Sequence, residues 1–361
     1  MADIISLATA LPEFKHEQEN ILHFMQNIYG IDEVEKRKLA FLYRHCGINT
    51  RYSVIGDYGL ENESWSFFPK DKPGCFPKLE QRMQLYQQKA LPLSVEAIER
   101  CIEGITTADK ITHLITVSCT GMSAPGLDLE IMETMHLSPS LFRTSVNFMG
   151  CYAAIHALKL AKMICDSTVH ANVVVVATEL CTLHFQEGYN IDNAASSLLF
   201  ADGCAAVLVS NYLSSEQAVS IKSFYSQVAF KGKKHMAWEL SGKGFLMTLS
   251  GYVPQLIEED ITGLLQQALQ QGGLSREEIS YWCIHPGGKK ILDVIGRQLK
   301  LQEGDLDYSR SILRDYGNMS SPTILFVLKK IMEEPIKKGQ NIFGVAFGPG
   351  LTMETFIAVK K

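Results

Sequence analysis

The sequence lacks several features that mark specialised classes of protein. Its most apolar stretch, ANVVVVATELC, is far too short to cross a bilayer. The N-terminal stretch MADIISLATALPEFKHEQEN has no basic region and no long apolar run, so we expect no signal peptide. The net charge of −5 gives no indication of a nucleic-acid or membrane partner. What remains, with 46% apolar and 20% charged residues, is typical of an ordinary soluble globular protein.

The cysteines form no recognisable framework. There are nine of them, their spacing is irregular, and no two form a C-x-x-C pair. This pattern argues against both a disulfide framework and a zinc site, and it favours a reducing cytoplasm. We therefore predict no metal and no bound cofactor. A single catalytic thiol among inert ones is compatible with the pattern. The nine lie at positions 46, 75, 101, 119, 151, 165, 181, 204 and 283.

Two stretches of the chain share one plan of helix, buried strand, helix and buried strand. Such alternation predicts an α/β architecture, and the repeated plan predicts a duplicated fold. We expect two halves, residues 1–215 and 216–361, whose sheets pack around shared helices. The first stretch contains PLSVEAIERCIEG, ITHLITVSC, YAAIHALKLAKMIC and ANVVVVATE, and the second PQLIEEDITGLLQQALQQ, ISYWCIHPGG, PTILFVLKKIMEE and QNIFGVAFGPG.

Cys151 lies where the strand formers of VNFMG give way to strong helix formers. The first turn of a helix has unpaired N–H groups and partial positive charge, which favour the nucleophilic thiolate. The alternative is an inert buried thiol, as most free cysteines are. The spacing of the two stretches favours a catalytic thiol. Cys119 and Cys151 lie 32 residues apart, and His285 and Asn318, at the corresponding places, lie 33 residues apart. A pseudo-twofold arrangement would bring Cys151, His285 and Asn318 into one cavity.

These three side chains form a workable nucleophilic set. The imidazole of His285 can pair with a Cys151 thiolate, and His285 and Asn318 can donate hydrogen bonds to an oxyanion or enolate. Taken alone, His285 could end a strand before a turn, and Asn318 could be a helix N-cap. The glycine-rich FGPGLTMETF is not a phosphate loop, because LTMETFIAV continues as a strand. We interpret it as a tight turn bordering the cavity.

At these residues the chain resembles the type III polyketide synthases, the chalcone synthase-like branch of the thiolase superfamily. The resemblance implies a five-layered αβαβα fold, a homodimer, and acyl-CoA and malonyl-CoA as substrates. It implies that Cys151 holds the starter acyl group as a thioester, while His285 and Asn318 stabilise the enolate formed when malonyl-CoA loses CO₂. The matching stretches are ITHLITVSCTGMSAPGLDLE, FMGCYAAIHALKLAK, LFADGCAAVLV, CIHPGGKKILD, RDYGNMSSPTILFVL and GVAFGPGLTMET.

The resemblance also assigns pocket residues. Phe200 matches the first of two aromatic gatekeepers, whereas the second falls at Met247, where phenylalanine is usual. A methionine is more adaptable than a phenylalanine, so a wider passage is expected, although plain core packing is the alternative. The other implied pocket residues are Cys119, Ala124, Cys181, His184, Ser320, Gly348 and Pro349.

For the coenzyme A phosphates, the resemblance points to basic residues near the N-terminal helix. Lys38 and Arg44 are the candidates, while Phe41 and His45 stand where further cations are expected. Arg51 could compensate or serve the structure alone. A starter delivered on an acyl carrier protein therefore stays open.

Three other functions compete with an iterative condensing enzyme. The nearest is a single-round ketoacyl synthase that acts on acyl carrier protein. A papain-like Cys-His-Asn hydrolase would need no malonyl group, and a non-catalytic binding homologue would need no intact triad. The starter, the number of extensions and the mode of cyclisation depend on cavity volume, which the sequence does not give.

Overall fold

The computed structural model describes residues 2–61, 64–69 and 76–361, so Cys75 lies outside the described residues. In that part the eight remaining cysteines are all free and buried. The strands are β1 Asp3–Ala10, β2 Phe14–Glu17, β3 Thr50–Ser53, β4 His113–Ser118, β5 Phe142–Asn147, β6 Asn172–Leu180, β7 Asp202–Ser210, β8 Val219–Val228, β9 Met236–Ser241, β10 Gly244–Leu249, β11 Ile279–Ile284, β12 Asn341–Gly348 and β13 Thr352–Lys360. The α-helices are α1 Gln18–Tyr29, α2 Glu33–His45, α3 Leu79–Ile102, α4 Leu127–Thr134, α5 Ala153–Ser167, α6 Ile191–Leu199, α7 Val253–Gly272, α8 Lys289–Gln298, α9 Asp307–Tyr316 and α10 Thr323–Met332.

The strand order confirms the predicted duplication. The large sheet runs β11-β12-β13-β8-β1-β7-β6-β4-β5. Read outward from its middle, β1-β7-β6-β4 in the first half repeats as β8-β13-β12-β11 in the second. The directions repeat as well, because β4 is parallel to β6 as β11 is to β12, and the other pairs are antiparallel. Within this sheet, β5 is the one described strand without a counterpart.

The two sets of strands are joined, which the sequence did not indicate. Asp3 and Ile4 of β1 pair with Ser220 and Val219 of β8, so that a single sheet of nine strands passes through both halves. The pairing is short, with two residues of each strand, whereas β1 and β8 pair along their length with β7 and β13 on their other edges. The boundary at 215/216 falls in the loop between β7 and β8, and it stays a prediction.

Helices form the remaining layers of the five-layered fold. Both α5 and α10 lie in the middle and contact strands of both halves. Their sequences suit this position, because α10 is buried on nearly every face and α5 carries four alanines. Helix α3 covers β1, β6 and β7 on one outer face, and α7 covers β8 and β13 on the other.

Helix α3 is longer than the sequence pattern indicated. We expected a helix to begin near Pro92, but α3 begins at Leu79 and Pro92 lies inside it. Residues 79–91 are strong helix formers, and they bury Arg82, Tyr86 and Ala90 against the protein. Burial of that face outweighs the loss of one backbone hydrogen bond at the proline.

Two kinds of feature are absent from the described residues. No helix in residues 2–61, 64–69 and 76–361 is both long and apolar enough to traverse a lipid bilayer. In the same part of the chain, no cluster of three or more His, Cys, Asp or Glu side chains is arranged to hold a metal ion.

Candidate active site

Cys151, His285 and Asn318 line one cavity of about 590 Å³. Cys151 lies in the turn just before α5, His285 directly follows β11, and Asn318 lies between α9 and α10. The two halves therefore contribute to a single chamber, as the repeated plan predicted. All three side chains are at least nine-tenths buried.

Glycines allow the turn that carries Cys151 to pack tightly. Gly150 has a φ of 81°, and a Cβ added there would overlap the ring of Pro349. A Cβ on Gly348 would lie 3.3 Å from the backbone nitrogen of Cys151 and closer still to Tyr152. The FGPG segment thus lies directly against the nucleophile turn. Pro349 lines the cavity, whereas Gly348 packs against the Cys151 turn and does not line it, so the prediction of Gly348 as a pocket residue is corrected.

The resting Cys151 thiol is protonated, contrary to what its place beside a helix start suggested. Burial raises the pKa of Cys151 to about 12, although hydrogen bonds with Ser320 and Asn318 act in the opposite direction. The buried Glu179 carboxyl also disfavours a thiolate. Desolvation therefore outweighs the helix end, and the thiol needs a base when it reacts.

His285 supplies a group that can accept that proton. The ring is 1% exposed, and neither Nδ1 nor Nε2 has a hydrogen-bond partner within the described protein. Burial lowers the pKa of His285 to about 3, so the imidazole is neutral. Buried polar atoms without partners are rare in native proteins, and their place in a cavity indicates that a ligand completes them.

Asn318 is held by a network of its own rather than at a helix start. It lies five residues before α10, whose N-cap is Pro322, so the interpretation as a helix N-cap is wrong. Its Oδ1 accepts a hydrogen bond from the Ser320 N–H at 2.9 Å. Its backbone pairs with that of Leu199 and Ala201. Its Nδ2 donates a long hydrogen bond of 3.4 Å to the Gly287 carbonyl, so the second Nδ2 hydrogen is the part of the amide that is left to meet a substrate oxygen.

The expected gatekeepers lie beside the nucleophile. Phe200, Cys181 and Cys151 form a small apolar cluster against which Met247 packs. Met247 lies on β10 opposite Trp238 of β9. Arg51 is buried and donates a hydrogen bond of 2.5 Å to the Phe200 carbonyl, so it fixes the gatekeeper and serves structure.

Four of the other sequence-predicted pocket residues lie where they were expected. Cys119, Cys181, Ser320 and Pro349 line the cavity. Cys119 is also part of the scaffold, because its Sγ accepts a hydrogen bond from the Gly150 N–H at 2.9 Å.

Two further predictions about the pocket are corrected by the structure. His184 lines a smaller neighbouring cavity instead, since its Nε2 donates to the Thr120 carbonyl at 2.7 Å and its Nδ1 accepts from the Phe245 N–H. Its ring is therefore fully engaged in the core. Ala124 is exposed, in the loop that turns outward after β4 and contains the cis Ala124–Pro125 peptide, so it does not line the cavity of its own chain.

The predicted coenzyme A contacts are not at the cavity. Lys38 and Arg44 are exposed and form ion pairs with Glu35 and Glu19. Neither lines the cavity, because α2 turns Phe41, Leu42 and His45 toward it instead.

Sequence reasoning missed three residues. Lys289 and Lys290 line the cavity at the start of α8, and the signal was their place directly after the HPGG stretch. Glu179 is completely buried and links the halves: its Oε2 accepts from the Cys119 N–H at 2.9 Å, and its Oε1 accepts from the Ser321 hydroxyl at 2.8 Å. A carboxylate inside the apolar ANVVVVATELC strand was the signal there.

Comparisons with known proteins agree with this arrangement. The family description "Chalcone and stilbene synthases, N-terminal domain" matches residues 1–212, and its C-terminal counterpart matches residues 220–360. Type III polyketide synthase A of Arabidopsis thaliana is 30% identical, covering 98% of this chain and 91% of that protein. The alpha-pyrone synthesis polyketide synthase-like Pks18 of Mycobacterium tuberculosis is 28% identical over 98% and 90% of the two chains. The solved structure of PKS-I from the brown alga Ectocarpus siliculosus is similar with a TM-score of 0.91, at 26% identity and over 99% and 98% of the two chains.

Proposed function

Because the chain belongs to the chalcone and stilbene synthase family, the type III polyketide synthases, we propose that it extends an acyl-CoA starter with malonyl-CoA by repeated decarboxylative condensation at Cys151, His285 and Asn318. The observation that carries the proposal is the cavity in which these three side chains meet, with both ring nitrogens of His285 unpartnered.

In the loading step, the Cys151 sulfur attacks the carbonyl carbon of the starter thioester. Both partners start neutral, so the thiol proton passes to His285 as the new S–C bond forms. The bond to the coenzyme A sulfur breaks, and that sulfur takes the proton back from the imidazolium. The attraction between thiolate and imidazolium offsets part of the cost of charging two buried groups.

In the decarboxylation step, His285 and Asn318 bind the thioester carbonyl oxygen of malonyl-CoA. The imidazole N–H and the Asn318 Nδ2 can both donate to that oxygen, where negative charge develops as CO₂ leaves. Donors already fixed in a buried site stabilise the enolate without reorganisation, so no strong base is needed. Asn318 suits this role because its Oδ1 is already engaged with Ser320.

In the condensation step, the enolate carbon attacks the Cys151 thioester. A C–C bond forms, the S–C bond breaks, and the Cys151 thiolate is regenerated with a chain two carbons longer on coenzyme A. Reloading of that chain repeats the cycle. The apolar lining, which includes Leu198, Leu249 and Phe347, suits an apolar acyl chain.

The test is incubation with malonyl-CoA and acyl-CoA starters of graded chain length, with mass detection of products. The proposal predicts products with several two-carbon extensions. A single extension would favour the ketoacyl synthase that acts on acyl carrier protein, and release of free acid without malonyl-CoA would favour a hydrolase.

We also propose a homodimer. Strand β5 lies at the edge of the sheet, and its Phe142 is 73% exposed. An open edge with an exposed aromatic residue favours pairing with a second copy. Light scattering should therefore give twice the 40.2 kDa mass of the chain, and a monomer at micromolar concentration would contradict this part of the proposal.

A further inference from the structure

The mouth of the catalytic cavity has its cations on α8 rather than on α2. Lys289 and Lys290 follow Gly288 as the first two residues of α8, are exposed, and line the cavity. The facing part of the lining on α2 is Phe41, Leu42 and His45, of which Phe41 and Leu42 are 63% and 41% exposed. The α2 side of the mouth is therefore mainly apolar, with one histidine, and the α8 side carries two lysines.

Both lysines are available for a ligand. Neither ammonium group has an ion-pair or hydrogen-bond partner among the described residues, whereas Lys38 and Arg44 are each already paired with a glutamate. The alkyl chain of Lys289 lies beside Gly47, where an added Cβ would meet its Cδ at 3.5 Å. The stem is thus supported while its charge stays in solvent. Across the mouth, Asp192 is the one carboxylate among the described residues that line the cavity.

The distance from the reacting groups is also suitable. Lys289 follows His285 by four residues, so their Cα atoms lie at most about 14 Å apart. The unpartnered nitrogens of His285 mark where the thioester end of a substrate lies. Each ammonium group is carried on a flexible four-carbon stem, so it can reach the phosphate end of an arm whose thioester lies at His285.

We propose that Lys289 and Lys290 bind the phosphate at the far end of the pantetheine arm of the thioester substrate. The inference rests on the proposed function, because it assumes that pantetheine thioesters enter this cavity. Such a phosphate is present both in coenzyme A and on an acyl carrier protein, and two ammonium groups suit either.

The test compares the K289A/K290A double variant with wild type on two malonyl donors. With malonyl-CoA, KM should rise roughly tenfold while kcat stays unchanged, because a contact remote from the reacting atoms binds ground state and transition state alike. With malonyl-N-acetylcysteamine thioester, which has no phosphate, both constants should be those of wild type. The second donor also shows that the variant is folded.

A matched control is K337A/K338A, a second pair of adjacent exposed lysines, which follows α10 and does not line the cavity. It should leave KM for malonyl-CoA unchanged. An equal rise in the control, or an equal rise with the phosphate-free donor, would overturn the proposal. If wild type makes no polyketide, the proposed function itself fails, which is a different result.

A second experiment identifies whether the phosphate belongs to coenzyme A or to an acyl carrier protein. Starter loading is measured with the same acyl group on coenzyme A and on a phosphopantetheinylated acyl carrier protein. A roughly tenfold weaker loading of K289A/K290A with either carrier supports the site, and the affected carrier is the one that uses it. Unchanged loading and unchanged malonyl-CoA KM would together contradict the site.

Discussion

The two halves of the molecule use equivalent positions for different purposes. Cys119 directly follows β4 and His285 directly follows β11, the matching strands of the duplication. The Cys119 sulfur is engaged by the Gly150 N–H and its own N–H by Glu179, whereas both nitrogens of His285 are unpartnered. One position holds the scaffold together, and the other is left open for a substrate.

The positions that precede the central helices differ in the same way. Cys151 before α5 provides a nucleophile, and Asn318 before α10 provides a hydrogen-bond donor. Duplication thus explains why the four positions converge, and the residue type at each position explains the chemistry. The variants below test this division between the halves.

The largest effect should come from His285→Ala set against Cys119→Ala. We expect His285→Ala to lower malonyl-CoA decarboxylation by on the order of 10²–10³-fold, since it removes a preorganised donor at the developing enolate. Cys119→Ala should change this rate little. Release of ¹⁴CO₂ from labelled malonyl-CoA measures both. Equal losses in the two variants would show that the equivalent positions do not have separate roles.

Asn318→Asp tests whether the Asn318 side chain acts as a hydrogen-bond donor to the enolate. The aspartate keeps an acceptor for the Ser320 N–H but cannot donate to the enolate and adds negative charge. We expect decarboxylation to fall by about 10²-fold, and a far-UV circular dichroism spectrum like that of wild type would show that the variant is folded. Asn318→Asp with undiminished decarboxylation would remove Asn318 from the proposed mechanism.

Glu179→Gln tests the link between the halves through the pH dependence of stability. Burial raises the pKa of Glu179 to about 7, so the folded protein holds this proton more tightly than the unfolded chain does. Its contribution to stability is full below pH about 4.5 and is lost as pH rises through about 7, a change of roughly 3 kcal/mol. Glutamine can keep an oxygen toward the Cys119 N–H and cannot ionise, so this loss should disappear.

Urea unfolding of both proteins between pH 4.5 and 8 provides the measurement. Other buried groups, such as Asp202, titrate in both proteins. Their contributions to the pH dependence of stability therefore cancel when one curve is subtracted from the other. Parallel curves would mean that Glu179 keeps an ordinary pKa in the folded protein.

The smallest effect should come from Met247→Phe at the gate. A phenylalanine would narrow the passage beside Phe200 and Cys181 with a less adaptable side chain. We expect a severalfold loss of kcat/KM for the longest accepted starters and little change for short ones, a difference of about 1 kcal/mol. Product profiles across the starter ladder measure it. An equal loss with every starter would indicate a packing defect instead.

Patterns along the chain predicted the parts of this structure that depend on local order. The apolar runs of β6 and β12 and the helix formers of α5 indicated their elements directly. The repeated spacing then placed Cys151, His285 and Asn318 in one cavity. The pairing of β1 with β8 depends on contacts between distant segments, so no local pattern indicated it.

The rest of the site depends on orientation and solvation, which the sequence does not contain. Lys38 and Arg44 are basic and close in sequence to the mouth, yet α2 turns them toward glutamates. His184 was predicted to line the pocket, but both its ring nitrogens form hydrogen bonds with the backbone of Thr120 and Phe245. The pKa of Cys151 likewise follows from the depth of burial rather than from its place before a helix.

The most direct test of the central claim is the intact mass of the protein after incubation with an acyl-CoA starter alone, followed by peptide mapping. Of the eight described cysteines, Cys46, Cys119, Cys151 and Cys181 line the cavity, so the adduct has four candidate sites there. The account predicts one acyl group per chain, located on Cys151 and absent from Cys151→Ala. An adduct of equal amount in Cys151→Ala, or one mapped to Cys46, Cys119 or Cys181 in wild type, would contradict it.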